Sequence, residues 1–220
     1  MEVAPQVNLN WLYTDSGHTL WTVGRKGRIF RYDAVCDRFL MVYKFPGLQD
    51  TETATLHYAC MDNNDRIWLC HGDSIIRYDI RTGITERLNS PSAENITAFT
   101  QKDSTYFFIG TSNGLLQVRE KKGVLETVIG ACTDSIRTPV SELYFHTGSK
   151  KLFVGTFKEG ILVYDTQAAP AGVAGGPPQN GGINRIAPFG ERQLVGATGG
   201  RGVYRLGGDY PGAQAYISPH

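Results

Sequence analysis

The feature that most constrains this chain is a fivefold internal repeat. In each copy a short apolar run ends in a small residue, a glycine-containing loop follows, and a second apolar run closes the unit. The copies read Leu20-Trp21-Thr22-Val23-Gly24 before Ile29-Phe30-Arg31-Tyr32-Asp33, and Ile67-Trp68-Leu69-Cys70 before Ile75-Ile76-Arg77-Tyr78-Asp79. Then come Phe107-Phe108-Ile109-Gly110-Thr111 before Leu115-Leu116-Gln117-Val118, and Leu152-Phe153-Val154-Gly155-Thr156 before Ile161-Leu162-Val163-Tyr164-Asp165. The last is Gln193-Leu194-Val195-Gly196-Ala197 before Val203-Tyr204-Arg205. The small residue stands at 24, 70, 110, 155 and 196, at intervals of 46, 40, 45 and 41 residues. That period matches a four-stranded propeller blade of roughly 40 to 50 residues.

Each copy is preceded by another strand-like run (9–13, 56–60, 96–99, 140–145, 183–187) and a turn rich in Asp, Asn, Ser and Gly. Such residues supply local side-chain hydrogen bonds and positive φ. A fourth run follows at 38–43, 84–88, 124–129 and 213–217, so the unit has strands A to D in order. Apolar positions alternate or cluster in fours to sixes, with β-branched and aromatic residues dominant, and no window carries a helical period. The predicted fold class is therefore all-β: a β-propeller of about five four-stranded blades, or a fragment of a larger, seven-bladed one. The expected domain organisation is a single propeller domain or fragment over 1–220, with blades at 7–50, 51–92, 93–135, 136–180 and 181–220. Stacking such blades buries both faces of each sheet, with Trp21, Trp68, Phe108 and Phe153 as equivalent core residues. The Pro- and Gly-rich stretch 168–178 is unsuited to a paired strand, so the fourth unit is expected to lack a regular strand D.

Composition narrows the function classes. The chain has 220 residues, 41% hydrophobic and 20% charged, with a net charge of +1. That balance offers no basic field for nucleic acid. No run approaches the ~20 apolar residues of a membrane span, and the start, Met1-Glu2-Val3-Ala4-Pro5, does not read as a signal peptide. Cys36, Cys60, Cys70 and Cys132 lack metal or redox spacing and read as small buried hydrophobes. A turn at 62–65 is expected to set His57 opposite Cys70, with His71 pointing to the other face, so no metal site is read there. Arg31 and Arg77 read as strand-face charges. No GxSxG, HExxH or P-loop is present, so no catalytic residue, metal ligand or cofactor is assigned.

Asp15-Ser16-Gly17 with Leu20-Trp21, and Phe108-Ile109-Gly110-Thr111-Ser112-Asn113-Gly114-Leu115, resemble the two-component regulator propeller repeat. Val154-Gly155-Thr156, Gly160-Ile161 and Tyr164-Asp165 repeat the pattern, and Ile67-Trp68 with Tyr78-Asp79 gives a looser copy in which Cys70-His71 replaces Gly-Thr. The similarity spans 7 to about 206. It implies the periplasmic sensor region of a hybrid two-component system, periplasmic or extracellular as part of a membrane receptor. There it would detect carbohydrate or another small polar ligand, with a homodimer expected of the parent receptor and a histidine kinase in the parent chain.

In propellers, the B–C loops and D–A connections emerge on one face, which by analogy of fold carries binding sites. The B–C loops offer Arg25, Lys26, His71, Asp73, Asn113, Phe157, Lys158, Glu159 and Arg201 as candidate ligand-binding residues. The D–A connections add Gln49, Asp50, Glu94, Asn95, Arg137 and Asn180. Charged, amide and aromatic groups together suit a polar ligand. Two other readings stand beside the sensor: a protein-interaction scaffold, marked by an exposed aromatic patch including Phe157 and Tyr210, and a propeller hydrolase or lyase built on acids such as Asp73 and Glu159.

Overall fold

Every copy of the repeat folds as an antiparallel meander in which, among the described residues, each strand pairs with its chain neighbours. The structure is a computed structural model that describes residues 9–24, 26–46, 56–71, 74–89, 95–128, 136–167, 182–189, 193–199, 202–206 and 213–216. The chain divides into two compact units, Met1–Asn95 and Ile96–His220. In the first, β1 (Leu9–Thr14), β2 (Leu20–Gly24), β3 (Arg28–Asp33) and β4 (Arg38–Lys44) make one sheet. A second sheet comprises β5 (Tyr58–Met61), β6 (Arg66–His71), β7 (Ser74–Asp79) and β8 (Thr85–Asn89). The other unit opens with β9 (Ile96–Gln101), β10 (Tyr106–Thr111), β11 (Gly114–Lys121) and β12 (Val124–Thr127). Next come β13 (Val140–His146), β14 (Lys151–Thr156) and β15 (Ile161–Asp165), three strands among the described residues. The Pro- and Gly-rich stretch 168–178 lies outside those residues. The last sheet is β16 (Ile183–Pro188), β17 (Leu194–Thr198), β18 (Val203–Leu206) and β19 (Ala213–Tyr216). Among the described residues there is no helix, and the class is the all-β propeller expected from the repeat.

The recurrent residues have identifiable mechanical roles. At the A–B turn, Asp15 Oδ1 accepts the Thr19 N–H at 2.8 Å and Oδ2 accepts the Trp21 indole N–H at 2.8 Å. Asp62 repeats this with the Asn64 and Arg66 N–H groups and the Trp68 indole. At the C–D turn, the Asp of Tyr-Asp closes an Asx turn. Asp33 accepts from Val35 and Cys36, Asp79 from Arg81 and Thr82, and Asp165 from Gln167. At the B–C turn, the hydroxyls of Thr111, Thr156 and Thr198 donate to the carbonyls of Gly114, Gly160 and Gly202. Local side-chain bonds thus fix at least one hairpin in each blade, which sets the register of strands too short to hold it alone.

Packing between neighbouring sheets uses the same repeat. In the first unit, Trp21, Val23, Ile29, Ile67, Leu69 and Tyr78 share one core. In the second, Phe153, Ile161, Ile183, Ile186 and Leu194 share another. Each such burial contributes on the order of 1.5–3 kcal/mol. The motif glycine permits the contact: a Cβ on Gly110 would stand 2.5 Å from Val140 Cγ1, and one on Gly155 would stand 2.9 Å from Ile183 Cβ.

Some sequence readings need correction. Cys70 is buried, and burial pushes its thiol up to about 12, but Cys36 is exposed at a C–D turn and Cys60 is only half-buried. Cys132 lies outside the described residues. Arg31 is exposed as expected, whereas Arg77 is buried, with its guanidinium carbon 5.2 Å from the Trp68 ring centroid and an ion pair to Glu86. The apolar stem and planar head of arginine allow that burial.

Candidate functional site

Strand A starts beside the end of strand B, and there four of the five ladders slip by one residue. The slip falls between Leu9 and Trp11, between the partners of Gly110 and Thr111, between Val140 and Glu142, and between Ile183 and Arg185. The residues skipped are Asn10, Thr97, Ser141 and Asn184, each polar, each next to the B–C turn of its own sheet. A bulge re-aims a side chain at a strand end. Thr97 uses this to donate its hydroxyl to the Val140 carbonyl at 2.6 Å. These residues were missed in the sequence, although a polar residue set between apolar ones at the start of strand A was the signal.

In the second unit the B–C end carries a cleft of about 470 Å³, lined by Ile136, Arg137, Thr138, Pro139, Glu159, Leu162 and Tyr164. Its B–C loop is braced on two sides. The Glu159 N–H donates to Thr156 Oγ1 at 2.7 Å, and the Phe157 N–H donates to the Pro139 carbonyl at 3.3 Å. The neighbouring turn packs against the same segment: a Cβ on Gly114, whose φ is +145°, would stand 2.2 Å from the Ile136 carbonyl oxygen. Of the candidate residues, Glu159 lines this cleft with Arg137. Phe157 (52% exposed), Lys158 and Asn113 stand on the loops around it.

In the first unit, Lys26 lies in the turn after Gly24, half-buried, and His71 ends β6. The expected geometry around His71 was wrong by one residue. Tyr58, not His57, pairs with Cys70. The His57 N–H donates to the Cys70 carbonyl at 3.0 Å, and its ring lies 5.3 Å from that of His71 instead of on the opposite face. Arg25, Asp73 and Arg201 lie outside the described residues, as do Gln49, Asp50, Glu94, Asn180 and Tyr210.

One further group stands out chemically. Glu142 is 5% exposed, and burial drives its carboxyl up to about 7 against the opposing charge of Arg185, whose Nη1 is 3.5 Å away. A carboxyl that titrates near neutrality is a marker of functional positions, though ion pairs built for structure perturb pKa values too.

The fold and these loops define a β-propeller with a polar B–C end. No protein family model matches the chain, and no curated protein matches it. Among solved structures it is similar to U3-55K, at 11% identity and a TM-score of 0.72, over 96% of this chain and 64% of that one. It is also similar to the extracellular domain of the putative hybrid two component system BT3049 from B. thetaiotaomicron. There the identity is 17% and the TM-score 0.70, over 100% of this chain and 30% of that one. A third is the β-propeller domain of Myceliophteria thermophila Cps50 (Swd1), at 11% identity and a TM-score of 0.65, over 94% of this chain and 68% of that one. The chain spans less than two thirds of the length of the first two. At these identities the likeness establishes the fold.

Proposed function

We infer that this chain is a ligand-sensing propeller module of a bacterial two-component receptor, binding a small polar molecule such as a carbohydrate fragment at its B–C end. The observation that carries the reading is the braced cleft in the second unit. It sets a guanidinium (Arg137), a carboxylate (Glu159) and a phenol ring (Tyr164) around about 470 Å³. A sugar asks for that combination: charged acceptors and donors for hydroxyls, and an aromatic ring for its C–H face. The two-component repeat motifs, and the likeness to an extracellular domain of such a system, support the receptor context. In that context the module is periplasmic or extracellular, and the parent receptor works as a homodimer. No helix among the described residues is long and apolar enough to cross a membrane.

The test is calorimetric titration of the intact chain with a panel of neutral and acidic oligosaccharides. The expected result is saturable binding by at least one member, weakened roughly tenfold or more by Glu159→Ala and by Arg137→Ala. Binding that neither substitution alters would overturn the assignment of this cleft, and silence across the panel would overturn the carbohydrate reading.

A second reading, a protein-interaction scaffold, is favoured by one observation: Phe157, beside the cleft, leaves half its surface exposed. An aromatic anchor of that kind suits a protein partner. If a partner is captured and Phe157→Ala alone abolishes capture, this reading replaces the first. Turnover of a panel member, lost in Glu159→Gln, would instead make the module a hydrolase.

A further inference from the structure

Two of the three histidines of the first unit, His57 and His71, form the most specific arrangement outside the cleft. His57 sits one residue before β5 and His71 ends β6, on the B–C end of the second sheet. Their ring centroids are 5.3 Å apart with planes inclined at 44°, and Phe45 meets His71 edge-on at 6.4 Å. Two imidazoles sharing one tetrahedral ion, each nitrogen about 2.0–2.1 Å from the metal, hold their centroids about 5 Å apart.

Two features make this more than proximity. The His57 backbone is tied to the Cys70 carbonyl, and Phe45, whose N–H donates to the Gly27 carbonyl at 2.7 Å, is buried against His71. The His71 ring therefore starts from a constrained position, which lowers the ordering cost of chelation. At this place in the motif the third and fourth copies carry a Thr that closes the B–C turn; here His71 stands instead, so the substitution is not required by the turn.

We propose that His57 and His71 form a two-histidine chelate for a late first-row divalent cation, Zn2+, Ni2+ or Cu2+. Among the described residues no group of three or more His, Cys, Asp and Glu is assembled for a metal. The remaining coordination positions accordingly go to water or to oxygen and nitrogen atoms of a molecule arriving from solvent. Imidazole is the ligand these ions share, and with only two protein donors the order of affinity follows Zn2+ and Ni2+ below Cu2+. This site is independent of the cleft in the second unit.

The test uses the intact chain in a Cys36→Ser background, which removes the exposed thiol as a competing ligand. Zn2+ and Ni2+ are titrated by calorimetry in a non-chelating buffer. The expected result is one site per chain, with His57→Ala and His71→Ala each weakening it roughly tenfold or more, because each leaves a monodentate ligand. The double substitution should add little, and His146→Ala should change nothing. Circular dichroism of the variants separates lost binding from lost folding. Affinity that survives both single substitutions in folded protein, or absence of a site for either ion, would overturn the proposal.

Discussion

The indole nitrogen of Trp68 donates to Asp62 Oδ2 at 2.8 Å, six residues back across the A–B hairpin of its blade. The same carboxylate takes two turn N–H groups and pairs with Arg66 at 2.7 Å. One side chain thus closes the turn and satisfies the buried indole at once. Asp62→Ala would strand a buried donor and an arginine together, at a cost of about 2–4 kcal/mol. Urea unfolding should report this as a lowered midpoint. Adding Trp68→Phe should recover part of the loss, because the buried indole donor is then no longer left unpaired. A wild-type midpoint in Asp62→Ala would contradict the account.

The glycines that end strand B are expected to resist any side chain. Gly110→Ala puts a Cβ 2.5 Å from Val140 Cγ1, and Gly155→Ala puts one 2.9 Å from Ile183 Cβ. Overpacking of this kind costs about 1–3 kcal/mol. Thermal unfolding should show both variants destabilised, whereas Gly83→Ala meets no atom within 4 Å and strains only its positive φ.

Glu142 gives the fold a pH dependence of unusual sign. Its folded pKa of about 7 lies above the ordinary carboxyl value of 4.5, so between these limits the folded chain binds more protons than the unfolded one. Stability from this group therefore falls as pH rises from about 4.5 to 7, by on the order of 3 kcal/mol in total. Asp15 and Asp79 act oppositely. Burial raises their pKa values, but hydrogen bonds from the turns together outweigh it and leave both lowered, so their contribution is lost only in acid, below about 4. Glu142→Gln should be more stable than the parent at pH 8 and close to it near pH 4.5, as measured by denaturant midpoints. A difference that stays flat across that interval would argue against a buried, elevated carboxyl.

The hydroxyl of Thr156 supports the cleft from beneath, donating to the Gly160 carbonyl and accepting the Glu159 N–H. Thr156→Val keeps the volume and removes both bonds, which costs about 1–2 kcal/mol. Loosening of loop 156–160 should weaken any ligand of the cleft along with it, while Thr198→Val in another blade should leave binding intact.

Much of the fold was legible because blade periodicity and turn chemistry act locally. The polar A–B turns, the small residue that ends strand B and the Tyr-Asp of three copies could be located from spacing alone. What spacing could not supply was the slip at the start of strand A. A one-residue change of register reverses which face a side chain occupies; in the second sheet, whose ladder runs without a slip, placing the turn one residue off was enough to put His57 and His71 on opposite faces. Burial was the other gap. Arg77 reads as a strand-face charge and Glu142 carries no signal, since nothing in a single strand reveals that Trp68 or Arg185 lies against it. For the candidate site, the B–C loops supplied Glu159 and the D–A connections Arg137, but the convergence of these two on Tyr164 is a tertiary fact.

The most direct test of the sensing account is a hydrogen-exchange footprint of the intact chain with and without a saturating oligosaccharide from the binding panel. The account predicts slowed exchange in 111–114, 136–139 and 156–160, with the C–D turns at 33–38 and 79–84 unchanged. Protection at the C–D turns, with the B–C end of the second unit unaffected, would contradict it.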